Sequence, residues 1–212
     1  MIHLVGNSHI SFFPKGGYEE WCVQTQERQV PYVGDYDPDF RTMHLGPILA
    51  HSFGSGRPEY EWVLDNLPQD AKVLFVLGEI DCRRHIRRQA VEQHLDIRQV
   101  CQNVVEGYLR SVNQFSGKNR KLGVMVPHMT LCDGAEQTRE WLDRLEVVAQ
   151  FEDALRIGAD HHPNITTFSI NRELVSHGHA YLQGCLWKDQ CHLSPVLQAD
   201  TVGSVQRWME RR

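Results

Sequence analysis

The sequence predicts an α/β protein: a three-layer α/β/α sandwich on a five-stranded parallel sheet, in the flavodoxin-like arrangement. Two observations carry that prediction. Short apolar runs such as residues 72–77 and 122–126 lack polar alternation, which marks strands buried on both faces. Between them lie stretches whose apolar residues recur at helical spacing. Strands alternating with helices give a parallel sheet covered on both sides.

The first strand is Ile2-His3-Leu4-Val5, which breaks at Gly6 and is followed by Asn7, Ser8 and His9. Glycine lets the backbone turn sharply, so Ser8 arrives at the carboxyl edge of the strand, where open α/β sheets bind ligands. A long irregular stretch holding Pro14, Gly16, Gly17, Pro31, Gly34 and Pro38 comes next. Residues 41–45 read as the second strand, stopped by Gly46-Pro47, and residues 47–53 and 58–67 as two short helical pieces. The third strand, residues 72–77, closes at Gly78. One long helix is expected over residues 89–115, with Ile97, Val100, Cys101, Val104, Tyr108 and Val112 on its apolar stripe.

Residues 122–126 form the fourth strand. Asp133 and Glu136 make a capping-box pattern ahead of a helix striped by Trp141, Leu145, Val148 and Leu155. Residues 165–170 are the fifth strand. Ser194-Pro195 has the signature of a helix start, and the last helix turns Leu197, Val205, Trp208 and Met209 inward.

With 212 residues, 41% of them hydrophobic and 23% charged, the chain suits one folded domain over residues 1–212. A net charge of -5 gives no general case for nucleic acid or for an acidic membrane surface. Cysteines 22, 82, 101, 132, 185 and 191 are too sparse for a disulfide scaffold. No basic, apolar leader precedes Ile2 and no run approaches a membrane span, so the expectation is a cytoplasmic protein with reduced thiols.

Near the end stands Lys188-Asp189-Gln190-Cys191-His192. An Asp and a His three apart in a turn can place the carboxylate against Nδ1 of the imidazole, whose other nitrogen can take a serine's proton. A serine needs such a base because its hydroxyl is hardly ionised at neutral pH. The structural alternative is that Asp189 caps a turn and His192 packs at the helix start.

Gly6-Asn7-Ser8 near the start and Asp189-x-x-His192 near the end resemble the SGNH/GDSL hydrolase superfamily. Two inner blocks extend the resemblance. Gly46 sits where that family has a glycine whose backbone N–H serves the oxyanion hole. Gly78-Glu79-Ile80-Asp81 matches the position of its Gly-x-Asn-Asp block, and the longer Gly-Glu-Ile-Asp-Cys-Arg form resembles a distinct branch associated with polysaccharide modification. Asn7 replaces the usual Asp of the first block. Ile80 stands where the family's asparagine would donate to the oxyanion.

The resemblance implies an SGNH-hydrolase-like esterase that removes acetyl or a similar acyl group from a carbohydrate or polysaccharide precursor, its substrate a small-molecule or glycan ester. Ser8 would be the nucleophile, His192 the base, Asp189 its orienter, and the N–H groups of Ser8 and Gly46 the oxyanion hole. An O-acyltransferase using the same residues and a glycan-binding domain that kept the pocket are the alternatives. Asn7, Glu79, Asp81 and Arg83 are the candidate substrate-orienting residues; an ion-paired network bracing the loop is the other account of Glu79 and Asp81. The basic run Arg83-Arg84-His85-Ile86-Arg87-Arg88 fits either an anionic ligand or a solvated cluster.

Cys185, Cys191 and His192, His161-His162, and His177 with His179 all lack structural zinc spacing, so no metal is expected. His128, ending the fourth strand, can face the pocket, but a satisfied structural histidine is the better reading. No phosphate-binding loop or dinucleotide fingerprint is present, so no cofactor is expected. Neither nucleic acid nor a membrane is an expected partner.

Overall fold

The computed structural model describes residues 1–13, 30–34, 38–117, 120–128, 139–176 and 197–210. Its strands are β1 (Ile2–Gly6), β2 (Tyr32–Gly34), β3 (Phe40–His44), β4 (Lys72–Val76), β5 (Lys121–Val126) and β6 (Ile165–Ser169). Its α-helices are α1 (Pro58–Asn66), α2 (Ile86–Gln93), α3 (Ile97–Asn113), α4 (Arg139–Ala159), α5 (Ile170–Ser176) and α6 (Gln198–Glu210). The strands form one sheet in the order β2-β3-β1-β4-β5-β6.

The five expected strands are present and pair in parallel. The order β3-β1-β4-β5-β6 is the flavodoxin-like order, and its switch point lies between β1 and β4. The sheet has a sixth strand that the sequence reading left in the irregular stretch. Three-residue β2 runs antiparallel to β3, with Tyr32 opposite His44. Such a short segment carries too few residues to display an alternation.

The sheet separates two cores. On one face Val5, Met43, Val73, Phe75, Val124 and Val126 pack with Phe53, Tyr60 and Phe115 and with residues of α3 and α4. On the other, Leu4, Phe40, Leu74, Val76, Met125 and Phe168 pack with Phe12, Phe13, Leu197, Val205 and Met209. Successive strand residues belong to opposite clusters, which is why the strands read as unbroken apolar runs.

The single helix expected over residues 89–115 is two helices. His94 takes a left-handed conformation with φ 54°, and the Leu95 N–H reaches back to the Ala90 carbonyl at 3.0 Å, closing α2. Asp96 then starts α3 by accepting the Gln99 N–H at 2.7 Å. The apolar spacing crosses this break undisturbed, so periodicity alone misses it. The proposed helix starts at Asp133–Glu136 and Ser194-Pro195 lie outside the described residues.

Candidate active site

β1 ends against β4 with no room for a side chain. A Cβ on Gly6 would stand 2.2 Å from the Val76 carbonyl oxygen, so only glycine permits this approach. Residues 8–12 then form a 3₁₀ turn. Asn7 caps it, its Oδ1 accepting the His9 N–H at 3.2 Å, and the Ser11 hydroxyl donates to the Ser8 carbonyl at 2.6 Å. From residue 2 to residue 13 every residue is buried except Ser8, which is partly exposed.

The loop after β3 is tied to the same place. The Leu45 N–H donates to the Gly6 carbonyl at 2.8 Å, and Gly46 follows with φ 79°, a conformation that favours glycine. Among the described residues, the Gly46 N–H meets no acceptor. A 3₁₀ turn over Ala50–Ser52 ends this loop. Asp81, fully buried, receives the Ala50 N–H at 2.7 Å and the His51 N–H at 3.2 Å, so the block after β4 holds the loop after β3.

That block begins at Gly78, with φ 104°, and continues through Glu79, Ile80 and Asp81 into one π-helical turn over Asp81–His85. Glu79 is 4% exposed and has three side-chain partners. Its Oε1 accepts from Arg83 Nε at 2.9 Å and from Arg144 Nη2 at 2.8 Å. Its Oε2 lies 3.1 Å from His9 Nε2. Burial acts to raise the Glu79 pKa, but the hydrogen bond from His9 and the fields of His9, His128 and Arg144 outweigh it. The carboxyl is held well below the usual carboxylate range.

An ionised carboxylate only accepts hydrogen bonds, so His9 donates to it from Nε2. The other ring nitrogen of His9, Nδ1, lies 3.4 Å from His128 Nε2 at the end of β5. One of these two facing nitrogens donates to the other. Both nitrogens of His9 are engaged, so His9 does not serve as a base for the adjacent Ser8.

Asp81 is electrostatically different. Burial pushes its carboxyl up, against the two backbone N–H groups and the field of His51. Ile80 between the two acids is partly exposed and brings no donor to the edge. Cys82 is buried, and burial, followed by the charge of Asp81, raises its thiol well above the usual value. It is not a nucleophile at neutral pH.

The carboxyl edge therefore gathers Asn7, Ser8, Gly46, Glu79, Asp81 and Arg83. Asp189 and His192 lie outside the described residues. Within the basic run, Arg83 binds Glu79, Arg87 binds Asp143 at 2.6 Å, and Arg88 approaches Glu92 at 3.6 Å. Sequence reasoning missed the joining of His9 and Arg144 to this cluster. His9 carried one signal, a second polar side chain beside the serine; Arg144, 65 positions from its partner, carried none.

Among the described residues no three His, Cys, Asp or Glu side chains gather as a metal site, and no helix is long and apolar enough to cross a membrane. A cavity of about 510 Å³ beside α3 and α4, lined by residues including Asn103, Glu106 and His161, shares no lining residue with this edge.

No protein-family model matches the chain, and no curated protein matches it in sequence. Solved structures do resemble it. LAE5, an alpha/beta hydrolase enzyme from the metagenome of Lake Arreo, Spain, superposes with a TM-score of 0.56 at 10% identity, over 99% of this chain and 94% of that one. Axe2, an acetylxylan esterase from Geobacillus stearothermophilus, gives 0.56 at 13% identity, over 98% and 93%. Phospholipase A1 from Streptomyces albidoflavus NA297 gives 0.55 at 11%, over 97% and 98%. At such identities the likeness is one of fold, and the chain has the α/β architecture of these hydrolases.

Proposed function

We propose that this protein is a serine-dependent ester hydrolase of the SGNH type, acting on an acyl group carried by a carbohydrate. The observation that carries the proposal is Ser8 itself, the one accessible residue in a buried segment, at the sheet's carboxyl edge beside the loop of Gly46. A hydroxyl placed so contributes little to packing. The similarity of fold to an acetylxylan esterase and a phospholipase A1 supports the same reaction class, and Axe2 is the neighbour that motivates a carbohydrate ester.

In this mechanism the Ser8 Oγ attacks the ester carbonyl while its proton passes to His192, held by Asp189. The backbone N–H groups of Ser8 and Gly46 receive the developing oxyanion. Collapse expels the alcohol, which takes the proton from His192, and a water molecule repeats the sequence on the acyl-enzyme. Labelling with a fluorophosphonate tests the nucleophile: wild type should become covalently modified at Ser8, and Ser8→Ala should not, with an unchanged thermal midpoint. Turnover of an acetylated sugar by pure Ser8→Ala protein at the wild-type rate would overturn the proposal.

A further inference from the structure

Ile80 gives the third block no side-chain donor, yet both of its acids reach back to the elements that carry the remaining machinery. Asp81 binds the loop that follows Gly46. Glu79 binds His9, the residue directly after Ser8. His9 is 5% exposed, its N–H is taken by Asn7 and both ring nitrogens are engaged, so its chemistry is spent on holding position. Nucleophile and oxyanion loop are each tied to the same four-residue segment, one through an imidazole and the other through backbone N–H groups.

We propose that His9 is a positioning residue for Ser8: its Nε2–H bond to Glu79 sets where the hydroxyl stands relative to the Gly46 N–H. The inference rests on the hydrolase reading above and adds a residue that touches neither substrate nor reacting atoms. Losing the tie lets the 3₁₀ turn shift, and a displacement of about 1 Å at a reacting group costs up to roughly a hundredfold in rate.

The test compares two amides of different reach at position 9. A glutamine can extend its Nε2–H to Glu79; an asparagine falls short while remaining polar. Saturation kinetics of fluorophosphonate labelling, in which Ser8 displaces fluoride from phosphorus, separate binding (KI) from reaction (kinact). His9→Asn should lose at least about tenfold in kinact at unchanged KI, and His9→Gln should stay within about threefold of wild type. Equal kinact for wild type and His9→Asn, or equal losses in both variants, overturns the inference while leaving the hydrolase reading intact. If His9→Asn fails to fold, His9→Gln decides alone: near-wild-type kinact upholds the tie, and a tenfold loss in folded protein overturns it. Wild-type protein that never labels at Ser8 overturns the hydrolase reading, and this inference with it.

Discussion

Glu79 and Asp81 stand two residues apart, both buried, and their environments drive them in opposite directions. Glu79 meets two guanidinium groups and an imidazole, and its charge is strongly favoured. Asp81 meets two backbone N–H groups and the field of His51, which do not offset its loss of water. The difference shows what kind of partner sustains a buried charge: a hydrogen-bonded imidazole with a guanidinium nearby does so here, and a pair of peptide N–H groups does not fully do so. It also divides the labour, since the stronger of the two sites holds the nucleophile's turn and the weaker holds the Gly46 loop.

Breaking the stronger site should have the largest effect. Glu79→Gln leaves Arg83 and Arg144 facing a neutral amide, and the loss of one partner from a buried ion cluster costs about 3–5 kcal/mol. Urea unfolding at neutral pH measures it; a loss below about 1 kcal/mol would mean that the arginines find water or other partners at little cost.

Ile80, between the two acids, sharpens the comparison from the side of chemistry. One aimed oxyanion donor is worth on the order of 100-fold in rate, so Ile80→Asn should raise turnover of nitrophenyl acetate toward that factor. An unchanged rate would show that the amide does not reach the oxyanion or that another group already fills the role.

Asp81→Asn should have the smallest effect on stability. It keeps one carbonyl acceptor for the two N–H groups and removes an unfavourable charge, so its cost should stay near 1 kcal/mol, while the Gly46 loop loosens and esterase activity falls.

The pH dependences differ in sign. Glu79 has a folded pKa below its unfolded value of about 4.5, so its contribution is present above that pH and is lost as the pH falls below it. Asp81 has a folded pKa above 3.8, so the folded state binds the extra proton and stability from this group rises as the pH falls through that window. Thermal midpoints followed from pH 7 to pH 3 should therefore flatten in Glu79→Gln and steepen in Asp81→Asn. Identical acid profiles for the two variants would refute the contrast.

Much of this arrangement was legible in the sequence. The unbroken apolar runs at β1 and β4 announced strands buried on both faces, and the glycines after them announced where the chain leaves the sheet. Ser8, Gly46 and Glu79 are thus assigned to one edge by the sequence alone. β2 was illegible because three residues beside a proline carry no period. The break at His94 was hidden because the helices on either side share an apolar rhythm, although Asp96 was a usable cap signal. The Glu79–Arg144 pair was beyond reach for a different reason: α4 meets the third block only through the tertiary fold, and charge patterning along a chain reports neighbours within a helical turn.

The hydrogen bond from the Leu45 amide to the Gly6 carbonyl has a consequence for how the edge is observed. Leu45 is 2% exposed, and its proton sits at the seam where the strands carrying the nucleophile and the Gly46 loop leave the sheet. That proton can exchange with deuterium only when the seam parts. Its exchange rate therefore clocks the opening of the edge itself, independently of substrate, and a single amide resonance can distinguish a variant that has lost a chemical group from one in which the two strands no longer stay together.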